Sequence, residues 1–141
     1  MMKRTPSVLF NASVVLTGLK SPTGGSAKVI SWVGKGKIKG IISETILDEI
    51  LRNTLKIGFE KVDLEKRVQE IFQITKEPKA ETVDQFKGIV LNFGDAHVLA
   101  SAKQAKTEYL VSLDQKHILI LKDKIKGFKI VTPGELIQEF Q

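Results

Sequence analysis

The chain is 141 residues long, carries a formal charge of +6 and contains no cysteine. These values exclude a disulfide framework, a thiolate metal site and a cysteine nucleophile, and they predict one domain spanning 1–141 with a single core in a reducing, cytoplasmic setting. No stretch approaches the roughly 18 apolar residues of a membrane span, so no membrane partner is expected, and the basic balance favours polyanions such as RNA through phosphate contacts.

The first apolar run, SVLF at 7–10, reads as a strand that stops at Asn11. The KSPTGGSAK stretch at 20–28 reads as a turn leading into a helix, and its glycines match neither the dinucleotide fingerprint nor the P-loop, so nucleotide binding by such a loop is not expected. Lys35, Lys37 and Lys39 form a basic cluster ahead of the second strand run, IKGIIS at 38–43, where they could touch phosphates or simply decorate a solvated turn. Ile46, Leu47, Ile50, Leu51 and Leu55 then recur at steps of three and four, which predicts an amphipathic helix over 43–55. Glu49 lies on one edge of that stripe and Asp48 on the other.

Leu64, Val68, Ile71 and Phe72 predict a helix over 63–74, whereas 75–93 has no sustained period and reads as a loop with at most one short element. A helix follows at GDAHVLASAKQA with Asp95 as its cap, then a strand, YLVSL at 109–113, with Ser112 inside it and Asp114 directly after it. A last strand, FKIV at 128–131, leads into a helix capped by Thr132 with Pro133 in its first turn. Strands alternating with helices predict an α/β fold with a parallel sheet covered on both faces.

In such a sheet ligands sit beyond the carboxyl ends of the strands, where strand order reverses. That rule selects Asn11, Glu49, Asp95 and Asp114 for one mouth. Acidic groups that converge without a positive partner are kept ionised by a divalent cation on oxygen ligands, which could orient water and clamp a phosphodiester. Taken singly, each has an ordinary reading as a cap, turn or solvated residue. His97 and His117 match no zinc spacing and have no nearby serine elbow, and the seven Phe sit mainly among apolar neighbours, which predicts no exposed stacking platform.

Five motifs in order resemble the PIN domain, in particular the VapC-like toxin components of toxin–antitoxin systems. They are VLFNASVVLTGLKSPTGG, ISETILDEILRNTL, GDAHVLASA, EYLVSLDQKHIL and GFKIVTPGEL. The resemblance implies a three-layer α/β/α fold with a central, mostly parallel sheet of four to five strands. It also implies Mg²⁺- or Mn²⁺-dependent cleavage of RNA, an antitoxin partner and a homodimer. On the family's pattern the metal ligands fall at Asn11, Glu49 (Asp48 being the other choice), Asp95 and Asp114, with Ser112 orienting a carboxylate or water. One departure is explicit: where the family has its first aspartate this chain has Asn11, and where the family has asparagine two residues later it has Ser13.

Overall fold

A computed structural model describes residues 5–141. Five runs rich in aliphatic residues pair side by side as strands: β1 (Ser7–Phe10), β2 (Lys39–Ser43), β3 (Gln73–Thr75), β4 (Tyr109–Val111) and β5 (Lys129–Val131). All pairings are parallel and the order is β3-β2-β1-β4-β5. Leu9 stands opposite Ile41 on one side and Leu110 on the other, and Leu110 stands opposite Ile130, so one aliphatic row crosses the sheet. These side chains are almost fully buried, each contributing about 1.5–3 kcal/mol.

The connections supply the outer layers. Helices α1 (Ala12–Lys20) and α2 (Gly25–Gly34) link β1 to β2, and α3 (Glu44–Leu51), α4 (Thr54–Ile57) and α5 (Lys61–Ile71) link β2 to β3. Helices α6 (Ala80–Asp84) and α7 (Phe93–Gln104) carry the chain back across the sheet to β4, a 3₁₀ turn (Leu119–Leu121) precedes β5, and α8 (Pro133–Phe140) closes the described chain. Right-handed crossovers in opposite directions place helices on opposite faces. The result is the three-layer α/β/α sandwich expected from the sequence.

Several boundaries differ from the sequence reading. The helix expected over 43–55 ends at Leu51, because the Asn53 amide donates to the Glu49 carbonyl at 2.7 Å and its backbone turns, a local bond that competes with helix continuation. Leu55, the last member of the predicted stripe, is consequently 97% exposed on α4. The helix expected over 63–74 stops at Ile71, since residues 73–75 pair with β2 as the fifth strand. The segment 75–93 contains the short α6, and the strand expected over 109–113 ends at Val111. Helix α7 starts two residues before Asp95, so Asp95 is not its cap: Asn92 is, and Asp95 occupies the third helical position. The Thr132 cap and Pro133 start of α8 are as predicted, with Thr132 Oγ1 accepting from the Glu135 N–H at 3.1 Å.

Gly40 marks a close approach. A Cβ there would lie 2.8 Å from Val33 Cγ2 and 2.9 Å from Phe72 Cδ1, two side chains that cover β2. Gly40→Ala should therefore destabilise the protein by about 1–3 kcal/mol in urea unfolding, as overpacking does. A second prediction concerns acid. The Lys122 hydrogen bond first, then the Thr132 backbone N–H, hold the Glu135 carboxyl below its ordinary range. A carboxyl depressed in the folded state contributes stability above its unfolded value and loses it as pH falls. Glu135→Gln keeps an acceptor for the Thr132 N–H, so it should flatten the acid limb of the stability curve, read from denaturation midpoints at successively lower pH.

Candidate active site at the sheet switch point

Strand order reverses between β1 and β4, so the crevice of this sheet lies where those two strands end. Asn11 follows β1 and is the N-cap of α1. Its Oδ1 accepts two hydrogen bonds from Ser13, from the backbone N–H at 3.2 Å and from the hydroxyl at 2.7 Å. Ser13 Oγ in turn accepts from the Leu113 N–H at 3.2 Å, which ties the end of β1 to the residues after β4. A carbonyl oxygen has two lone pairs, and both donors here are spent on it. The amide group left over is the NH₂, a donor that no cation can use.

On the β4 side, Ser112 is fully buried and its hydroxyl accepts from the Asp114 N–H at 3.0 Å. Asp114 Oδ1 accepts from the His117 N–H at 3.0 Å, the short-range turn that aspartate readily forms. The His117 ring turns to α7, with Nδ1 3.0 Å from Asp95 Oδ2 and 3.2 Å from Asn92 Nδ2. The same Asp95 oxygen accepts from the Asn92 N–H at 3.2 Å. One histidine thus holds the carboxylate of α7 through its ring and that of the β4 loop through its backbone. Nothing in the histidine spacing signalled this; the Asp-x-x-His step from Asp114 to His117 is the one clue the sequence carries.

The structure brings Asn11, Ser112, Asp114 and Asp95 to this end of the sheet. Glu49 makes no side-chain bond with them among the described residues: it is exposed on α3, and its backbone carbonyl is engaged by Asn53. Asp48, the other choice, is also exposed and lines a hollow with Arg52 and Lys61. A second carboxylate–histidine pair went unseen in the sequence. Glu77, in the segment after β3, accepts from Thr45 Oγ1 at 2.6 Å and lies 2.9 Å from His97 Nε2, joining α3 to α7. The basic cluster belongs elsewhere: Lys37 lies 4.0 Å above the Trp32 ring, before β2 begins and so at the opposite end of the sheet. One phenylalanine departs from expectation, as Phe93 is 62% exposed beside Leu91, also exposed.

These residues fit a divalent cation in kind but not in number. Asp95 and Asp114 are hard oxygen donors, yet among the described residues no group of three or more His, Cys, Asp or Glu side chains is placed to hold a metal ion. Neutral Asn11 also removes the attraction a carboxylate would supply, about 8 kcal/mol between a unit charge and a divalent ion about 4 Å apart at an effective dielectric near 20, before desolvation.

The His117 clamp yields a direct prediction. His117→Ala should cost about 1–2 kcal/mol in urea unfolding by leaving the mostly buried Asp95 carboxylate with only the Asn92 N–H as partner. His117→Asn, whose amide nitrogen stands close to where Nδ1 does, should recover most of the loss; an equal loss in both variants would mean that the ring serves only as packing.

Comparison with known proteins agrees with this architecture. Residues 7–116 match the model of a PIN domain family. VapBC2 from Rickettsia felis, solved bound to a DNA fragment from its promoter, superposes with a TM-score of 0.65 at 12% identity, covering 89% of this chain and 98% of that one. A toxin–antitoxin complex from Klebsiella pneumoniae gives 0.64 at 21% identity, covering 89% and 97%. Mycobacterium tuberculosis VapC20, a sarcin-ricin loop cleaving toxin, gives 0.57 at 10% identity, covering 77% and 91%. At these identities the structures are evidence of shared fold, and no curated protein matches significantly in sequence. With the family model spanning most of its length, the chain belongs to the PIN domain family.

Proposed function

We propose that this chain is a toxin-type PIN protein that engages RNA at the mouth between β1 and β4 and is attenuated there as a metal-dependent nuclease. The observation that carries the attenuation is the Asn11 carbonyl oxygen, saturated by the two Ser13 donors. In this reading Asp95 and Asp114 are the acidic pair of the mouth, Glu49 is the third carboxylate on a neighbouring helix, and Ser112 orients Asp114 by holding its backbone. Asp95, Asp114 and Glu49 are the oxygen donors that would hold a Mg²⁺ or Mn²⁺ ion, which would supply the charge to orient water and neutralise a phosphodiester. The neighbours' description as toxins and toxin–antitoxin complexes supports the class, and the net charge of +6 supports a polyanionic substrate.

The rim supports a protein partner. Leu91 and Phe93 flank Asn92, whose amide touches His117, and they are 67% and 62% exposed, while Leu113 beside Ser13 is 39% exposed. Apolar side chains around a polar mouth suit a segment of a small antitoxin laid across it. A homodimer, the family's habit, would set two such mouths along one RNA path.

The deciding experiment is Asn11→Asp, alone and combined with Ser13→Asn. The native chain should show no calorimetric heat with Mn²⁺ at millimolar concentration and little cleavage of single-stranded RNA. The variants should gain both, with cleavage abolished by EDTA. Native cleavage as fast as that of Asn11→Asp would overturn the attenuation. Binding of RNA without any gain of cleavage would instead identify a non-enzymatic RNA-binding module.

A further inference from the structure

A second concavity lies at the other end of the sheet, bounded by residues that precede β4 and β5. It is an open hollow of about 450 Å³, within the range of small-molecule sites, with the apolar side chains of Phe86, Ile89 and Phe128 in its lining. Four lysines line it, Lys103, Lys106, Lys124 and Lys126, and no acidic residue does. Among the described residues none of these four makes an ion pair; Lys103 meets only the neutral Gln85 amide and lies 5.9 Å from the Phe86 ring. Four like charges around one hollow repel one another, and an anion relieves that repulsion.

Lys106 adds an independent sign. It is the one described residue other than glycine with positive φ, at 56°, in the left-handed position that ends α7. The bonds from the Lys106 N–H to the Lys103 carbonyl and from the Thr107 N–H to the Ala102 carbonyl, both 3.1 Å, form the helix stop that glycine ordinarily serves. A lysine there bears a conformational cost that glycine would not. Such local strain is characteristic of positions whose side chain is needed for something other than stability.

We propose that this pocket binds a phosphorylated nucleoside, its phosphate among the four lysines and its base against the apolar part of the lining. A doubly charged phosphate answers several cations at once, and that part of the lining offers a flat apolar body a place that inorganic phosphate cannot use. The ligand's source is either a free mononucleotide or one unit of an RNA chain. The Lys103 wall of the pocket lies about 12 Å from Asp95 along α7, at 1.5 Å per residue, so the pocket is separate from the mouth and does not depend on the nuclease reading.

Lys106→Gly isolates the charge without damaging the fold, because glycine suits that backbone. Its melting temperature should rise by about 2–4 °C. Binding would be followed by calorimetry with the four nucleoside 5′-monophosphates, inorganic phosphate, adenosine and a short single-stranded oligonucleotide. The expected result is monophosphate binding that weakens with salt, falls about tenfold in Lys106→Gly and again in Lys124→Gln/Lys126→Gln, and exceeds that of phosphate or adenosine alone. Binding confined to the oligonucleotide, with the same losses, assigns the site to an RNA unit. No binding of either probe, binding unchanged in the lysine variants, or equal binding of inorganic phosphate would overturn the proposal.

Discussion

The parallel ladder between β1 and β4 is the constraint on which the rest of the molecule depends. It joins a strand near the start of the chain to one a hundred residues later, and the chain must cross the whole sheet to make it. Because neighbouring strands on either side run outward from this pair, helices fall on both faces and the crevice opens where the two strands end. The polar link from Asn11 through Ser13 to the Leu113 N–H completes the same junction beyond the last ladder bond. The oxygen that caps α1 is thus also part of the link that joins the ends of the two strands.

Much of this was legible in the sequence because it rests on local signals. Four of the five strands announce themselves as short aliphatic runs, and Thr132, Pro133 and Glu135 write the start of α8 in their side chains. What escaped is decided by partners distant in sequence. β3 reads as the tail of an amphipathic helix, since Ile71, Phe72 and Ile74 suit either period; the open edge of β2 takes residues 73–75 as a strand. Leu55 has the right spacing for the core and no core to face, because the helix bends away after Leu51.

The site was legible in type and not in arrangement. Position after a strand singled out Asn11 and Asp114 as candidates, a helix start singled out Asp95, and Ser112 entered only through the family's pattern; the structure sets these four at one end of the sheet. The clamp that orders them was not visible, since His117 matters through a ring bond to another element and a backbone bond to its own turn. Glu49 shows what periodicity leaves open. Its spacing on α3 assigns it an edge of the apolar stripe, but periodicity does not say whether an edge residue leans over the crevice or into water, and here it is exposed.

Helix α7 links two chemistries of opposite sign. Its first turn carries Asp95 to the crevice, and its C-terminal end carries Lys103 and Lys106 to the basic hollow. The helix dipole does not favour the acid merely by accident: a carboxylate in the first turn and cations at the last are each the stabilising choice, so the helix tolerates both functional ends at little cost. The exception is the backbone of Lys106, where a glycine would serve the helix better. At Asn11 an amide gives α1 a good cap and leaves the crevice short of a charge; at Lys106 a charge is kept and the helix stop suffers. Capping alone accounts for the first residue, and no requirement of the helix stop accounts for the second, whose side chain is one of the four lysines around the hollow.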